Sequence, residues 1–269
     1  AQEFKWMEER DDCFAAASTA TTSKIVDFIG LKSPEAVTFA ADCIKAYYQA
    51  DQIEEVCVAP PSEYLALRAT LGLRTDVLWY LKKMLPGQRT GGAAWIATAK
   101  SRLETRGYER NQASPQFYFH REKRVLLELH MDDIHGVGPT REVGEELLAL
   151  RSMFDLNSTD TIMTGKHCHL QRERLRRADE TIVRANPAHI TNLIELLGME
   201  KAKPCPSPSL VGSAPEDLSL LEGKEIATYR RAVGIALYLS PDRWDIQRDV
   251  QLLSRKLQGP TKHDWQRLV

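Results

Sequence analysis

Leu126-Leu127-Glu128-Leu129-His130-Met131-Asp132-Asp133-Ile134-His135-Gly136-Val137-Gly138 reads as an apolar strand, two adjacent carboxylates at a tight turn, and a second short strand. Two neighbouring charged carboxylates repel each other and resist burial. A hairpin that carries them at its tip has a use for a cation there. Hard divalent ions such as Mg²⁺ are held by one or two carboxylates together with substrate phosphates. The pattern points to metal-assisted phosphoryl transfer, set against the plainer reading of a β-turn that uses Asp-Asp for its turn propensity.

A third carboxylate favours the first reading. Val37-Thr38-Phe39-Ala40-Ala41-Asp42-Cys43-Ile44-Lys45-Ala46-Tyr47-Tyr48 is an apolar strand that ends in one Asp and continues into a turn or short helix with two aromatics. A two-metal site needs carboxylates from separate strands to clamp ions about 3.5–4 Å apart. Asp42, Asp132 and Asp133 meet that need if their strands are neighbours in one sheet. Taken alone, Asp42 reads as a helix N-cap after a strand.

Histidines offer a rival site. His130, Asp132, Asp133 and His135 form a compact cluster in sequence, and His167 and His169 form an HxH pair whose members share a strand face. Such ligands suit Zn²⁺ or Mn²⁺ in a hydrolase, although neither cluster has the spacing of a known zinc motif.

The rest of the chain bounds these readings. Its 269 residues allow one large domain or two small ones, and 43% hydrophobic with 27% charged residues is ordinary for a globular protein. There is no apolar run of about 18 residues to span a membrane, and the polar residues 1–10 do not form a secretory signal. The chain starts without Met and is expected to be a fragment of a longer product. Cys13, Cys43, Cys57, Cys168 and Cys205 are scattered and odd in number, which fits a reducing compartment better than a disulfide framework. A net charge of −1 does not announce nucleic acid. Local basic runs do occur, at Arg121-Glu122-Lys123-Arg124, Gln171 to Arg177, Lys82-Lys83 with Arg89, and Lys100-Ser101-Arg102. They read either as solvated surface or as contacts to a phosphate backbone.

Periodicity predicts strands at 36–42, 53–58, 117–119 and 125–129, with further strands within 161–170 and 181–184. A helix follows residue 91 and stops at Gly107, with Trp95, Ile96, Ala99 and Leu103 on one face. A second helix spans 140–154, with Thr140 as N-cap. A third is opened by Pro187 at its first position and runs to Gly198. Two more lie within 224–257. Residues 15–23 read as a loop or poorly packed lead-in. The order of strand, helix, paired strands, helix and strand predicts an α+β fold: a mainly antiparallel sheet backed by helices on one face.

Several segments together resemble a known family. Asp42-Cys43-Ile44-Lys45-Ala46-Tyr47-Tyr48 and His130-Met131-Asp132-Asp133 look like the two catalytic motifs of a reverse transcriptase palm. Ile53 to Pro61, Lys82 to Trp95, Arg106-Gly107-Tyr108 and Ser114 to Phe119 follow in the family's order. So do Tyr229 to Leu239, Arg243-Trp244-Asp245-Ile246, Leu253-Ser254-Arg255 and Gly259-Pro260-Thr261-Lys262-His263-Asp264-Trp265. The set is most similar to the polymerase of copia-type LTR retrotransposon polyproteins and covers residues 36–269. His130 stands where the family usually has Tyr. Gln88-Arg89-Thr90-Gly91-Gly92 replaces the family's usual loop, and no basic fingers segment is recognisable before Asp42.

The resemblance implies a palm-type sheet over residues 36–199 with partial fingers, and truncated fingers or lead-in at 1–35. It implies a linker at 200–222 and a helical thumb or connection segment at 223–269. It implies RNA-directed DNA polymerase activity by two-metal nucleotidyl transfer. Asp42, Asp132, Asp133 and the carbonyl of Cys43 would hold two Mg²⁺ ions, for which Mn²⁺ could substitute. Strand alternation makes Asp133 the least direct of these. Tyr47 would stack beneath the sugar and reject a 2′-hydroxyl. Gln88 and Arg89 would touch template or nucleotide, and Lys166 could approach the pyrophosphate. The expected partners are an RNA template, a DNA primer, dNTPs and other parts of the same polyprotein, such as integrase and ribonuclease H, but no membrane. The expected compartment is a cytoplasmic virus-like particle or the nucleus. The alternative within this resemblance is a catalytically degenerate element that only binds nucleic acid.

Overall fold

The structure, a computed structural model, describes residues 18–162, 165–203 and 217–269. They divide into two compact units. One runs to His169 and includes Arg176–Thr181; the other comprises Leu170–Leu175 and Ile182 onwards.

The first unit contains α1 (Ala20–Lys32), β1 (Ala36–Cys43), α2 (Ala46–Gln49), β2 (Cys57–Val58), α3 (Ser62–Thr70), β3 (Trp79–Tyr80) and α4 (Gly91–Arg106). It continues with β4 (Tyr108–Arg110), β5 (Phe117–His120), β6 (Val125–His130), β7 (Asp133–Pro139), α5 (Thr140–Met153), β8 (Leu156–Ile162) and β9 (Gly165–His169). Six of these strands form one antiparallel sheet in the order β4-β5-β6-β7-β1-β8. This is a mixed α/β architecture, as the strand and helix patterns predict.

Alternation along the central strands sorts their side chains into two layers. Val37, Phe39, Ala41 and Cys43 of β1, Val125, Leu127 and Leu129 of β6, and Ile134 of β7 pack with Trp95, Ala99 and Leu103 of α4 and Val143, Leu147 and Leu150 of α5 in the main core. Gly136 belongs to this face, since a Cβ there would come within 2.3 Å of Phe39 Cζ and 2.8 Å of Leu127 Cδ2. The opposite face carries Ala36, Val137 and the half-buried Leu126, which pack against Val26 of α1, so helices cover both faces of the sheet and not one as expected.

Four local expectations are corrected. Of the stretch 15–23 read as a loop, residues 15–17 lie outside the described residues and 20–23 open a helix that runs to Lys32; Thr19 and Thr22 close a capping box at its start, with Thr22 N–H donating to Thr19 Oγ1 at 3.2 Å and Thr19 N–H to Thr22 Oγ1 at 2.9 Å. Thr140 is the first residue of α5 and not its cap. Its N–H and hydroxyl both donate to the Glu35 carbonyl, so β7 runs through Pro139 directly into the helix. Pro187 is likewise the N-cap of its helix, and Asn186 Oδ1 accepts the Ala188 N–H at 3.0 Å. Pairing in 53–58 is confined to Cys57 and Val58, and ends before Pro60-Pro61 removes two backbone donors.

The second unit holds β10 (Arg172–Arg176) and β11 (Thr181–Ala185) over most of their lengths, then α6 (Ala188–Leu197), α7 (Lys224–Leu239), α8 (Gln247–Ser254) and α9 (Lys262–Leu268). Leu221, Tyr229, Val233 and Leu253 form its core, with Ile226, Leu257, Trp265 and Leu268 against them. The Gly259 to Trp265 stretch has a physical role here. Thr261 and Asp264 form a capping box, Asp264 Oδ2 accepting the Thr261 N–H at 2.9 Å. Within the stretch read as a linker, residues 217–221 are fastened down: Leu221 N–H donates to Pro260 O, and Ser219 O accepts Lys262 N–H. Cys205 and the proline-rich 204–209 lie outside the described residues, as does Cys13. Among the described residues no helix is long and apolar enough to cross a membrane.

Candidate active site

The three carboxylates meet at one end of the central strands. Asp42 and Asp133 are direct register partners in the β1–β7 pair, and Asp133 is paired in turn with His130 of β6. Register partners in an antiparallel pair project to the same face, so His130, Asp133 and Asp42 form a row across three neighbouring strands. Asp132 occupies the two-residue turn with Met131.

That turn is held from two sides. Cys43 N–H donates to the Asp132 carbonyl at 2.7 Å, and the indole N–H of Trp95 donates to the Met131 carbonyl at 2.6 Å. Met131 has φ +54°, an unfavourable backbone region for a residue with a side chain. Strain of this kind persists where surrounding contacts over-determine it. Trp95 is fully buried and meets Phe154 edge-on, with ring centroids 5.8 Å apart. Its periodic spacing shows it as a helix-face residue in the sequence. Its tie to the turn is a contact across 36 residues and leaves no local signal.

The electrostatics follow from the crowding. Burial, then Asp132 and Asp42, push the Asp133 carboxyl up to about 6. Burial, then the Asp42, Asp132 and Asp133 charges, push the Cys43 thiol up to about 12, so Cys43 is no thiolate ligand. Burial, then Asp132, also raise the Tyr47 phenol. The site is a set of hard oxygen donors whose mutual repulsion a cation would relieve. Asp132 is exposed, while Asp42 and Asp133 are half-buried.

The other predicted residues are placed as follows. Tyr47 lies on α2 with its ring against the start of α4, where a Cβ on Gly91 would come within 2.9 Å of Tyr47 Cδ1. Gln88 is buried, its amide oxygen accepting the Leu85 N–H at 2.7 Å, so it braces its own loop. Arg89 is half-buried just before α4, and Lys166 is exposed on β9. Arg102, read in the sequence as part of a basic run, instead joins α2 to α5 through Gln49 O at 3.1 Å and Met153 O at 2.7 Å. Several residues of the basic runs have carboxylate partners: Arg121 with Glu109, Lys123 with Glu145, and Lys83 with Asp51. Arg174 and Arg176 are buried.

The expected cluster of His130, Asp132, Asp133 and His135 is corrected. His130 stays in the carboxylate row, its Nδ1 accepting the Ser18 N–H at 2.9 Å. His135 is two residues further along the same face, opposite Glu128 and beneath α1. It gathers with His167 and His169 instead, its ring centroid 5.7 Å and 4.6 Å from theirs. Glu128 is fully buried among them. Burial alone would raise its carboxyl, but the His135 and His169 imidazoles and the Thr22 and Ser23 hydroxyls hold it below the ordinary range.

No protein-family model matches the sequence, and no curated protein matches it. Solved structures similar to this one include apo telomerase of Candida tropicalis truncated from its C-terminal domain. It is 8% identical with a TM-score of 0.37, over 62% of this chain and 40% of that one. Telomerase of Candida albicans in complex with the TWJ fragment of telomeric RNA is 8% identical with a TM-score of 0.36, over 71% of this chain and 41% of that one. The chain thus spans about two fifths of each of those proteins.

Proposed function

We propose that this chain is the palm and thumb portion of a copia-type reverse transcriptase, extending a DNA primer on an RNA template with dNTPs. The observation that carries the reading is the register of Asp42 with Asp133, with the Asp132 carbonyl fastened to Cys43 N–H. It puts three carboxylates from neighbouring strands at one partly open strand end.

The donor set fits Mg²⁺: oxygen only, partly exposed and self-repelling. Asp42, Asp132 and the Cys43 carbonyl are the ligands in this reading. When bound, the ions supply Lewis-acid activation of the primer 3′-hydroxyl and neutralise charge on the triphosphate and leaving pyrophosphate. Asp133, made less acidic by burial and by the charges of Asp132 and Asp42, has the less direct role in the row. Trp95 and Cys43 N–H fix the turn so that Asp132 does not need to be ordered when substrate arrives. Tyr47, braced on Gly91, presents its ring to the sugar and leaves no room for a 2′-hydroxyl. Gln88 holds the loop that positions Arg89 for template or nucleotide. Helices α7–α9 form the thumb.

Primer extension on an RNA template with dNTPs and Mg²⁺ or Mn²⁺ tests this, run beside Asp132→Ala. Extension by the parent protein and its loss in the variant are expected. Folded parent protein that does not extend, or a variant that extends equally well, would overturn the reading.

A further inference from the structure

Two residues along the same hairpin face from the carboxylate row lies a second group of ionisable side chains, closed to solvent. Glu128 and His135 are register partners and both are fully buried. His169 of β9 is 3% exposed and sits against them. One ligand atom from each lies within 4.8 Å of the others.

The separations distinguish a metal site from a set of hydrogen bonds. Glu128 Oε2 is 3.6 Å from His135 Nδ1 and 3.5 Å from His169 Nε2. A charge-assisted N–H···O bond closes to about 2.7–2.9 Å. Ligands at about 2.0–2.1 Å from a tetrahedral Zn²⁺ lie about 3.3–3.4 Å apart. The observed contacts are too long for the first arrangement and close to the second.

The surroundings are those of a metal ligand shell. Glu128 is oriented by two hydroxyls from α1: Ser23 Oγ donates to Oε2 at 2.9 Å and Thr22 Oγ1 to Oε1 at 2.5 Å. On the far edge of the His135 ring, Nε2 faces Asp27 Oδ1 at 3.6 Å. That gap too is longer than a hydrogen bond; Asp27 is placed where a metal-ligating imidazole has the carboxylate that orients its other nitrogen. The Asp27 charge is met by Arg176, whose guanidinium attracts it while donating to the Gly30 carbonyl. Among the described residues, the groups that face Glu128 are the two imidazoles and the two hydroxyls.

We propose that Glu128 Oε2, His135 Nδ1 and His169 Nε2 bind one Zn²⁺ ion, with water as the fourth ligand. Two imidazoles and one carboxylate suit this borderline ion and not Mg²⁺. The ion is structural, fastening α1 through its hydroxyls to β6, β7 and β9. The proposal does not depend on the polymerase reading.

The test uses the full chain, stripped with chelator and reloaded with Zn²⁺ or Co²⁺. One equivalent of Zn²⁺ is expected in the parent protein and in Asp42→Asn/Asp132→Asn, and none in folded His169→Gln. The Co²⁺ form is expected to show the intense visible bands of a four-coordinate site. Folded parent protein that retains no Zn²⁺, or binding lost in the double Asp variant, overturns the proposal. If His169→Gln does not fold, the parent Co²⁺ spectrum decides: intense four-coordinate bands support the site, and weak six-coordinate bands overturn it.

Discussion

The tip of the β6–β7 hairpin and the step just below it are built from the same two strands, yet they are opposite kinds of polar site. At the tip, Asp132 and Asp133 join Asp42 with open access and only oxygen donors. Two residues down on the same face, Glu128 and His135 are sealed beneath α1 with mixed nitrogen and oxygen donors. What separates them is the cover. Helix α1 lies over the second pair and gives it hydroxyls, while the first pair is left to crowd and repel. The tip is therefore poised for a transient, hard cation, and the lower site for a permanent partner.

Substitutions should divide along the same line. The largest effect on stability belongs below the tip. Glu128→Ala leaves the imidazoles and two hydroxyls facing a hole, and should destabilise the protein by about 3–5 kcal/mol in chemical denaturation. The largest effect on activity belongs at the tip. Asp132→Ala should slow primer extension by about 10²–10³-fold or more with an unchanged denaturation midpoint. An Asp132→Ala variant that unfolds more readily than Glu128→Ala would erase the distinction.

Smaller effects sharpen it. The Asp133 carboxyl is raised to about 6, so the folded state holds its proton more tightly than the unfolded chain, whose carboxyl titrates near about 3.9. The stability this gives is complete below the unfolded value and is lost as pH rises through about 6. In metal-free buffer, Asp133→Asn should exceed the parent in stability by about 1–2 kcal/mol at pH 8 after solvent screening. The two should converge near pH 4, as read by thermal melts. Trp95→Phe removes one donor from the Met131 carbonyl. It should lose about 1 kcal/mol in denaturation and slow extension by loosening the turn, with the Glu128 group unaffected.

The legibility of the two sites differed for a physical reason. Strands β1, β6 and β7 and helices α4 and α5 announce themselves because their buried faces are apolar and periodic. Phe39, Leu127 and Leu103 are examples. Asp42, Asp132 and Asp133 stand out because charge at the end of such a strand is costly. Helix α1 was hidden because its buried face holds Thr22, Ser23 and Asp27 beside Val26, so no apolar stripe marks it. His167 and His169 could be seen to share a face, but their partner could not be read. Glu128 looks like one polar residue in a strand, and His135 looks tied to the nearby Asp pair. Only the fold brings β9 and α1 to them. Trp95 was visible as a core residue, whereas its hold on Met131 depends on where α4 crosses the hairpin.

The group around Glu128 also sets an order of events during synthesis. Thr22 precedes Glu128 by 106 residues, and the last contributor is His169. A nascent chain can therefore lay α1 against β1 early, but the partner of the Thr22 hydroxyl arrives only 106 residues later. It must keep a polar helix face in water while the hairpin is translated, and closing so long a loop carries an entropic penalty. Helix α1 can dock on β1, β6 and β7 once the hairpin is made, while its polar group is completed only by β9. Chains terminated before the hairpin should consequently share one mark, a helix 20–32 whose Thr22 and Ser23 face is open to proteases and chaperones.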